Sequence, residues 1–247
     1  TLLFKVILKR GLLGMHSNSY TIFFTSIVTI ILGGFLSVAA GTLKETQDLN
    51  VENDSKKNIL ASLGFKPEGE SKWSSDDITK LFEENIEAYV LNSNGERTSV
   101  DPSSVDTESD KENFPIYVDK RDGAVNGYAI PISGKGLWST LYGYFAVDPD
   151  CITAKGITFY AHKETPGLGG EVEKPWFQNN FIGKRFVDEN GNLVGIKVVK
   201  GKADPDSQYE VDGISGATIT SKGLEYFLVD DLKKYEPFFQ KVRRGKA

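Results

Sequence analysis

A chain of 247 residues with 29 basic and 34 acidic side chains can form one good-sized domain with appendages, and its net charge of −5 disfavours nucleic acid as a partner. Cys151 is the only cysteine, and His16 and His162 are the only histidines. An internal disulfide, a thiolate iron–sulfur cluster, a CxxCH haem and a multi-histidine zinc site all lack ligands, so we expect no metal site. Redox chemistry would need an organic cofactor.

The first element in the chain is an apolar stretch of membrane-spanning length. Tyr20 to Gly41 holds 22 uncharged residues, and about 20 apolar residues are needed for a helix to cross the hydrocarbon core. A cleaved signal peptide is the alternative, because the sequence SVAAG places small residues near the end of the stretch. Since the apolar core is longer than that of a typical signal peptide, we expect a retained single-pass transmembrane helix.

The charges around this helix predict its orientation. The first 43 residues hold three of the 29 basic residues and none of the 34 acidic ones, which leaves a formal net charge of −8 on the remainder. The three are Lys5, Lys9 and Arg10. The positive-inside rule then places residues 1–19 in the cytoplasm, residues 20–41 in the membrane and a domain of residues 44–247 outside. Met15 is the only methionine, so residues 1–14 are expected to precede the natural start, which would remove most of this charge bias.

Two helices are predicted between the membrane segment and a sheet. The first runs from Asp48 to Leu63, with Gly64 as its stop signal. Ser74 or Ser75 caps the second, over Asp76 to Tyr89, whose apolar residues recur at helical spacing and are expected to pack in the core. The polar segment Val100 to Asn113 is predicted to be a surface loop.

From Phe114 onward, β-branched and aromatic runs separated by Gly, Pro or Asp predict strands. The predicted strands are Phe114 to Val118, Gly127 to Ile132, Leu137 to Val147, Ile152 to Ala161 and Leu193 to Val199. A final helix is expected from Ser221, with Pro237 kinking or ending it. Because helical runs flank the strands at both ends of the sequence, we expect an α+β domain with a mostly antiparallel sheet.

Two segments within the strand region look too specific for plain architecture. The turn GKGLW, Gly134 to Trp138, delivers an aromatic ring at the entrance of a strand; Trp138 is most simply a core residue, and stacking on a ligand is the alternative. The loop HKETPGLGG, His162 to Gly170, holds three glycines and a proline, and backbone amides in such a loop can bond a planar ligand. A plain strand-to-helix connection explains the loop equally well.

The stretch DGISGATIT, Asp212 to Thr220, stands immediately before the predicted final helix. Gly213 and Gly216 permit unusual backbone angles, and hydroxyls recur through the stretch. Free amides and the helix dipole at such a place favour an anion, and a phosphate held there would lie within reach of the Thr218 hydroxyl. By pattern alone, a simple N-cap turn is the commoner explanation.

Three stretches taken together closely resemble one known family. They are GKGLWSTLYGYFAV, ITFYAHKETPGLGGEVEKPWF and VKGKADPDSQYEVDGISGATITSKG. The family is the C subunit of the sodium-translocating NADH:quinone oxidoreductase (the Nqr complex), and the likeness, which includes the single N-terminal span, covers nearly everything from Met15 to the end. The related G subunit of the Rnf complex shares the flavin motifs but fits GLWSTLYGY less well.

The resemblance implies a covalent flavin. In the family, the threonine of the SGAT motif carries FMN through a phosphoester bond that a flavin transferase installs after export, which here implies Thr218. The other flavin-binding residues that the resemblance implies are Ser215, Gly216, Ala217, Trp138, Glu164, Thr165, Leu168, Gly169 and Lys200. Lys200 is expected near the ribityl chain or the phosphate, and no residue need act as a catalytic acid or base.

The resemblance also implies a role within a larger assembly. The protein would relay single electrons from an iron centre in the membrane to the FMN of the B subunit, and onward through riboflavin to ubiquinone or menaquinone. Its partners would be the A, B, D, E and F subunits of a six-subunit complex in the bacterial inner membrane, with the C-terminal domain in the periplasm. The whole complex would couple this transfer to sodium export, and the isolated protein would have no substrate of its own.

Two other functions remain open from the residues alone. A membrane-anchored serine hydrolase could pair Ser215 with His162, because Gly213, Ser215 and Ala217 approach a G-x-S-x-G elbow. Ala217 spoils that pattern, and no clear strand leads directly into it. A non-catalytic binding module, in which the glycine loops serve only as connections, is the third possibility.

Overall fold

The structure, a computed structural model, describes residues 18–67 and 73–245. The predictions made for residues 1–14 and for the basic residues Lys5, Lys9 and Arg10 lie outside the described residues. The chain divides into two compact units, Thr1–Val51 and Glu52–Ala247. The second unit contains the sheet and the candidate site.

The first helix, α1, spans Asn18–Ser62. Within its segment Asn18–Lys44, an 18-residue window has a mean hydropathy of 2.2 and no buried residue, and by length and composition the segment could span a membrane. The helix predicted from Asp48 is therefore the last part of α1 and not a separate element. Its predicted end is confirmed, because Gly64 adopts φ +84° and the amide of Phe65 donates back to the carbonyl of Leu60 at 3.0 Å.

Helix α2 spans Ser75–Asn85, and its predicted cap is present. The Ser74 hydroxyl accepts from the amide of Asp77 while the Asp77 carboxylate accepts from the amide of Ser74, which forms a capping box. The predicted end at Tyr89 was wrong. The residues from Ile86 onward pair with the neighbouring strand and leave the helical spacing, because sheet pairing outweighs local periodicity.

Five strands form one antiparallel sheet in chain order. They are β1 (Ile86–Leu91), β2 (Phe114–Asp119), β3 (Gly127–Lys135), β4 (Thr140–Val147) and β5 (Ala154–Ala161). This order confirms the α+β prediction, although β1 was read as helix and β4 starts three residues later than expected. The predicted last strand shortens to β6 (Lys197–Val198), which pairs in parallel with β7 (Glu210–Val211).

Both faces of the sheet are covered, which explains why its strands lack a clean polar alternation. On one face, Ile130 and Phe145 pack in the main core with helix α4, Thr218–Arg243. On the other face, Ala129 and Tyr144 pack against the end of α1 and against α2. A short helix α3 (Pro175–Gln178) and 3₁₀ turns connect β5 to β6.

Helix α4 begins at Thr218, three residues earlier than predicted, and continues through Pro237. Its continuation fits the burial of Phe238 and Phe239 in the core.

Candidate functional site

Three connecting segments converge on the start of α4. Strand β3 ends where its antiparallel partner β4 begins, with Lys135 opposite Thr140, and β5 ends at the same edge, with Ala161 opposite Tyr142. The turn between β3 and β4 and the loop that follows β5 therefore emerge side by side. The turn Asp212–Ala217 and the first turn of α4 reach the same place, because Leu168 lies against Gly216 and Glu164 bonds Thr220.

Glu164 joins these segments through its carboxylate. One oxygen, Oε1, accepts hydrogen bonds from the amides of Trp138 at 2.8 Å and Ser139 at 3.1 Å. The other, Oε2, accepts from the hydroxyl of Thr220 in the first turn of α4 at 2.8 Å. Burial raises the pKa of Glu164, which is only 5% exposed, but these hydrogen bonds outweigh burial and hold the pKa below its usual range. The carboxylate is therefore ionised at neutral pH.

Two glycines make room for this carboxylate. A Cβ on Gly136 would come within 2.6 Å of Glu164 Oε1, and a Cβ on Gly169 would come within 2.5 Å of Glu164 Oε2 and 2.7 Å of Thr220 Oγ1. Neither distance is compatible with a real side chain unless something shifts. A side chain at either position would therefore press on the carboxylate and disturb its hydrogen bonds.

The N-terminus of α4 is open to a ligand. Ala217 occupies the N-cap position and no side chain caps the helix, so the first amides of α4 keep their hydrogen-bonding capacity. Thr218 is the first helical residue and is exposed. Gly216 adopts φ +74°, and a Cβ there would meet Leu168 Cδ2 at 2.7 Å. The turn needs glycine both for its backbone angle and for its close approach to the loop.

Large apolar side chains on the segments that meet at this helix start are exposed to solvent. Trp138 is 67% exposed, Leu168 42% and Ile219 61%. The expectation that Trp138 is simply a core residue was therefore wrong. Exposed aromatic and aliphatic groups beside uncapped amides suit a ligand with a planar apolar part and an anionic part. FMN has both, so the site fits FMN.

The remaining predicted residues take different places. Thr165 acts through its carbonyl, which accepts from the amides of Leu168 at 3.1 Å and Gly170 at 3.0 Å and shapes the loop. Ser215 is exposed in the turn before α4. Lys200 is exposed in the segment after β6, which approaches that turn where the carbonyl of Gly201 accepts from the amide of Gly213 at 2.8 Å. The segment of Lys200 is thus beside the site, and among the described residues its side chain has no ion pair.

The residues proposed for a hydrolase do not form a catalytic pair. His162 Nδ1 accepts from the amide of Glu164 at 3.2 Å, and its Nε2 lies 3.5 Å from Glu173 Oε2. Within the part of the chain that the structure describes, no hydrogen bond joins His162 to Ser215. Nδ1 is used by the loop's own backbone and Nε2 faces Glu173 in the 3₁₀ turn that follows, which supports a structural role for this histidine.

Comparisons with known proteins agree with this geometry. A family described as the FMN-binding domain matches residues 136–230, a range that contains every predicted site residue. The C subunit of the Na(+)-translocating NADH-quinone reductase from Pseudomonas aeruginosa is 33% identical, over 94% of this chain and 98% of the relative. The C subunit of Yersinia pestis is 35% identical, over 92% of this chain and 96% of the relative. The chain belongs to the C-subunit family of Na(+)-translocating NADH-quinone reductases.

Solved structures of this family share the fold. The crystal structure of the C subunit from Parabacteroides distasonis superposes with a TM-score of 0.71 at 36% identity and covers 80% of this chain and 96% of its own. That of the Shewanella oneidensis protein superposes with a TM-score of 0.65 at 24% identity, over 78% of this chain and 99% of its own. The family is one of subunits of an oxidoreductase complex, which confirms the resemblance described from the three motifs.

Thr220 is the residue of the site that sequence reasoning left out. It was noted only as one of several hydroxyls, yet it is 1% exposed and bonds Glu164. The helical period contains the signal: Ala217, Thr220, Ser221 and Leu224 lie at the i, i+3, i+4, i+7 spacing of a buried face. By that spacing Thr218 is directed outward and Thr220 inward.

Proposed function

We propose that this chain is the electron-carrying C subunit of a sodium-pumping NADH:quinone oxidoreductase and holds FMN covalently on Thr218. The observation that carries the proposal is the exposed Thr218 hydroxyl on the first residue of an uncapped helix, inside the range that matches the FMN-binding domain. Bound FMN would supply the reversible redox chemistry that no side chain of this sequence offers.

The attachment chemistry follows from the position of Thr218. Its hydroxyl oxygen would form a bond to the FMN-side phosphorus of FAD, while the bond from that phosphorus to AMP breaks and AMP leaves with the electron pair. The hydroxyl proton passes to a base of the flavin transferase. The phosphodiester that results carries a negative charge, which the free amides and the dipole of α4 stabilise. An uncapped helix start is therefore useful both during attachment and afterwards.

Other residues of the chain would orient the cofactor. Trp138 and Leu168 would contact its planar apolar part, since both are exposed beside the helix start. Thr165 and Gly169 would shape the loop that carries Leu168. The exposed Lys200 would approach the ribityl chain or the phosphate, and Ser215, Gly216 and Ala217 would form the turn around it. None of these residues transfers a proton.

In the complex, the protein would accept single electrons from the iron centre of the membrane part and deliver them to the FMN of the B subunit, from which they reach quinone through riboflavin. The relatives' name supports this setting, because it describes a component of a quinone reductase that translocates sodium. The other partners would be the A, D, E and F subunits. The helix Asn18–Lys44 would anchor the chain in the bacterial inner membrane with the flavin domain in the periplasm.

In-gel ultraviolet fluorescence after denaturation tests the covalent bond. Full-length protein made together with its flavin transferase should give a fluorescent band. Thr218→Ala should abolish the band, and Ser215→Ala, which removes a hydroxyl three residues away in the same exposed turn, should keep it. A wild-type chain without fluorescence, or a Thr218→Ala chain that keeps it, contradicts the proposal.

The relay role has its own test in the assembled complex. Thr218→Ala should leave the oxidation of NADH by an artificial acceptor unchanged and should abolish quinone reduction. The reason is that the artificial acceptor takes electrons before they reach this protein, whereas quinone lies beyond it. Quinone reduction retained in a Thr218→Ala complex would show that the electrons take another route.

A further inference from the structure

We propose that Glu164 is a positioning residue whose ionised, buried carboxylate clamps the turn Lys135–Thr140, the loop His162–Gly170 and the first turn of α4 together, and whose charge lowers the reduction potential of a flavin bound at Thr218. The clamp is a property of the polypeptide alone. The effect on the potential rests on the proposed function.

Glu164 differs from the other buried carboxylates in its surroundings. Three carboxylates are buried among the described residues: Asp119, Glu164 and Asp231. Asp119 pairs with Arg121 at 2.6 Å and Asp231 pairs with Lys234 at 2.7 Å. Glu164 has no basic partner in the ranges 18–67 and 73–245, and only amides and one hydroxyl stabilise its charge.

An unpaired buried charge is costly, and a protein can usually avoid it. A glutamine of the same shape would fill the same space, but its neutral oxygen would accept weaker hydrogen bonds from the amides of Trp138 and Ser139 than the carboxylate does. Packing alone therefore does not require a charge. Unpaired buried charges are concentrated at functional sites. The charge of Glu164 is therefore best explained by what it does to the site.

The clamp determines the arrangement of the groups that would meet the cofactor. Glu164 Oε1 fixes the amide of Trp138, so it fixes the backbone that carries the exposed indole. Glu164 Oε2 fixes Thr220, which lies two residues after Thr218 in the same helical turn. The backbones of Gly136 and Gly169 lie close against the carboxylate, and a movement of the carboxylate away from them would break its hydrogen bonds to these segments. The backbone segments that carry the indole and the Thr218 hydroxyl are thus held relative to one another before any ligand binds.

The same charge would act on the bound flavin. A fixed negative charge that no cation neutralises opposes the addition of electrons to a nearby group, and it does so more strongly inside the protein than at an exposed position. Removing the charge of Glu164 should therefore raise the reduction potential. Removing an exposed charge from the same region should change it far less. Glu173 provides that control, since it is half-exposed and pairs with Lys174.

The test compares full-length wild type with Glu164→Gln and Glu173→Gln, each made with and without the flavin transferase. In the protein without flavin, hydrogen exchange at the amides of Trp138 and Ser139 should accelerate at least tenfold in Glu164→Gln and stay unchanged in Glu173→Gln. In the flavinylated protein, the equilibrium constant for two-electron reduction should rise about tenfold in Glu164→Gln only, which corresponds to about 30 mV.

The exchange measurements test the clamp, and the potentials test the effect of the Glu164 charge. Unchanged exchange at both amides in Glu164→Gln overturns the clamp, whatever the flavin does. Faster exchange with the same potential as Glu173→Gln overturns the effect of the charge and leaves the clamp. If the wild type takes up no flavin, the proposed function fails and the exchange data still decide the clamp. If Glu164→Gln does not fold, Thr220→Val, which keeps the charge, replaces it, and unchanged exchange in that variant overturns the clamp.

Discussion

Different interactions hold the two parts of helix α4: its C-terminal half packs in the core, and its first turn lies at the candidate site. Towards its C-terminus, Tyr235, Phe238 and Phe239 are buried against aromatic rings of the sheet and of the segment after it. At its N-terminus, Thr218 and Ile219 are exposed and only Thr220 reaches a polar partner. Apolar packing anchors the helix, while directional hydrogen bonds arrange the site.

The difference explains how the site can be both open and ordered. Because burial at the far end supplies the stability, the near end can leave its amides uncapped and its apolar groups exposed without loss of the fold. The first turn of α4 depends instead on a few directional hydrogen bonds, above all those of the Glu164 carboxylate. Substitutions at the two ends should therefore fail in different ways.

The largest loss of stability is expected from Phe239→Ala. Phe239 is fully buried and packs on Tyr235 and Phe186, so truncation leaves a cavity and should lower the free energy of unfolding by about 3–5 kcal/mol. Denaturant unfolding of the full-length protein in detergent, followed by circular dichroism, measures the loss. Ile219→Ala removes an exposed apolar group from the same helix and should stay within about 0.5 kcal/mol. Equal losses would contradict the division between the two ends.

Gly169→Ala should act on the site end by crowding. The new methyl group would press on Glu164 Oε2 and Thr220 Oγ1, at an expected cost of about 1–3 kcal/mol. Gly167→Ala is the control. Alanine at the φ of +75° that Gly167 adopts should cost about 1–2 kcal/mol, but its methyl group would meet no neighbouring atom. Hydrogen exchange separates the two, because only Gly169→Ala should speed exchange at the amide of Trp138. Identical exchange in both variants would show that crowding does not reach the clamp.

Thr218→Val and Thr220→Val make the same chemical change two residues apart, with opposite expected results. Thr220→Val leaves Glu164 Oε2 without its hydroxyl donor and should cost about 1–3 kcal/mol. Thr218→Val is exposed and should stay within about 0.5 kcal/mol, yet it should abolish covalent flavin. Unfolding experiments and in-gel fluorescence on the same samples measure both. A destabilised Thr218→Val protein would mean that Thr218 has a structural role.

The sequence predicted the fold where local signals and tertiary contacts agree. The capping residue Ser74 and the stop at Gly64 were found because capping chemistry is local. Residues 86–91 were misread because their apolar spacing also fits a helix, and only pairing with β2 decides between the two.

At the site, resemblance to a family indicated the residues but not their arrangement. Composition alone made Trp138 most simply a core residue, and it is exposed. The resemblance names Glu164 as a flavin-binding residue, and the structure adds that its carboxylate is buried and bonds the backbone of the neighbouring turn. Spacing along the chain carries no information on contacts between residues 26 or 56 positions apart, such as those of Glu164 with Trp138 and Thr220. The three-dimensional fold alone brings them together.

The smallest expected effect is a difference in the pH dependence of stability between Glu164, beside the first turn of α4, and Asp231, in the buried middle of the helix. Burial raises the pKa of Asp231, in the anchored part of α4, and the contacts with Lys234 and Ser133 do not compensate. At pH values between the usual pKa of 3.8 and the raised pKa, the folded state binds more protons than the unfolded state. Asp231 therefore makes the free energy of unfolding fall as the pH rises. Glu164 has the opposite effect, because its pKa is lowered in the folded protein. Its contribution to the free energy of unfolding is present above about pH 4.5 and is lost as the pH falls through the pKa of the folded state.

Unfolding free energies measured from about pH 3.5 to 6 should separate these two contributions. Glu164→Gln should lose less stability on acidification than the wild type, because the contribution that acid removes is already gone. Asp231→Asn should lose more, because the gain from protonating a strained carboxylate is gone. Charges elsewhere are common to all three proteins and cancel in the differences. Parallel profiles in the two variants would show that Glu164, beside the first turn of α4, and Asp231, in the buried middle of the helix, are held alike. The contrast between the first turn and the rest of the helix would then depend on packing alone.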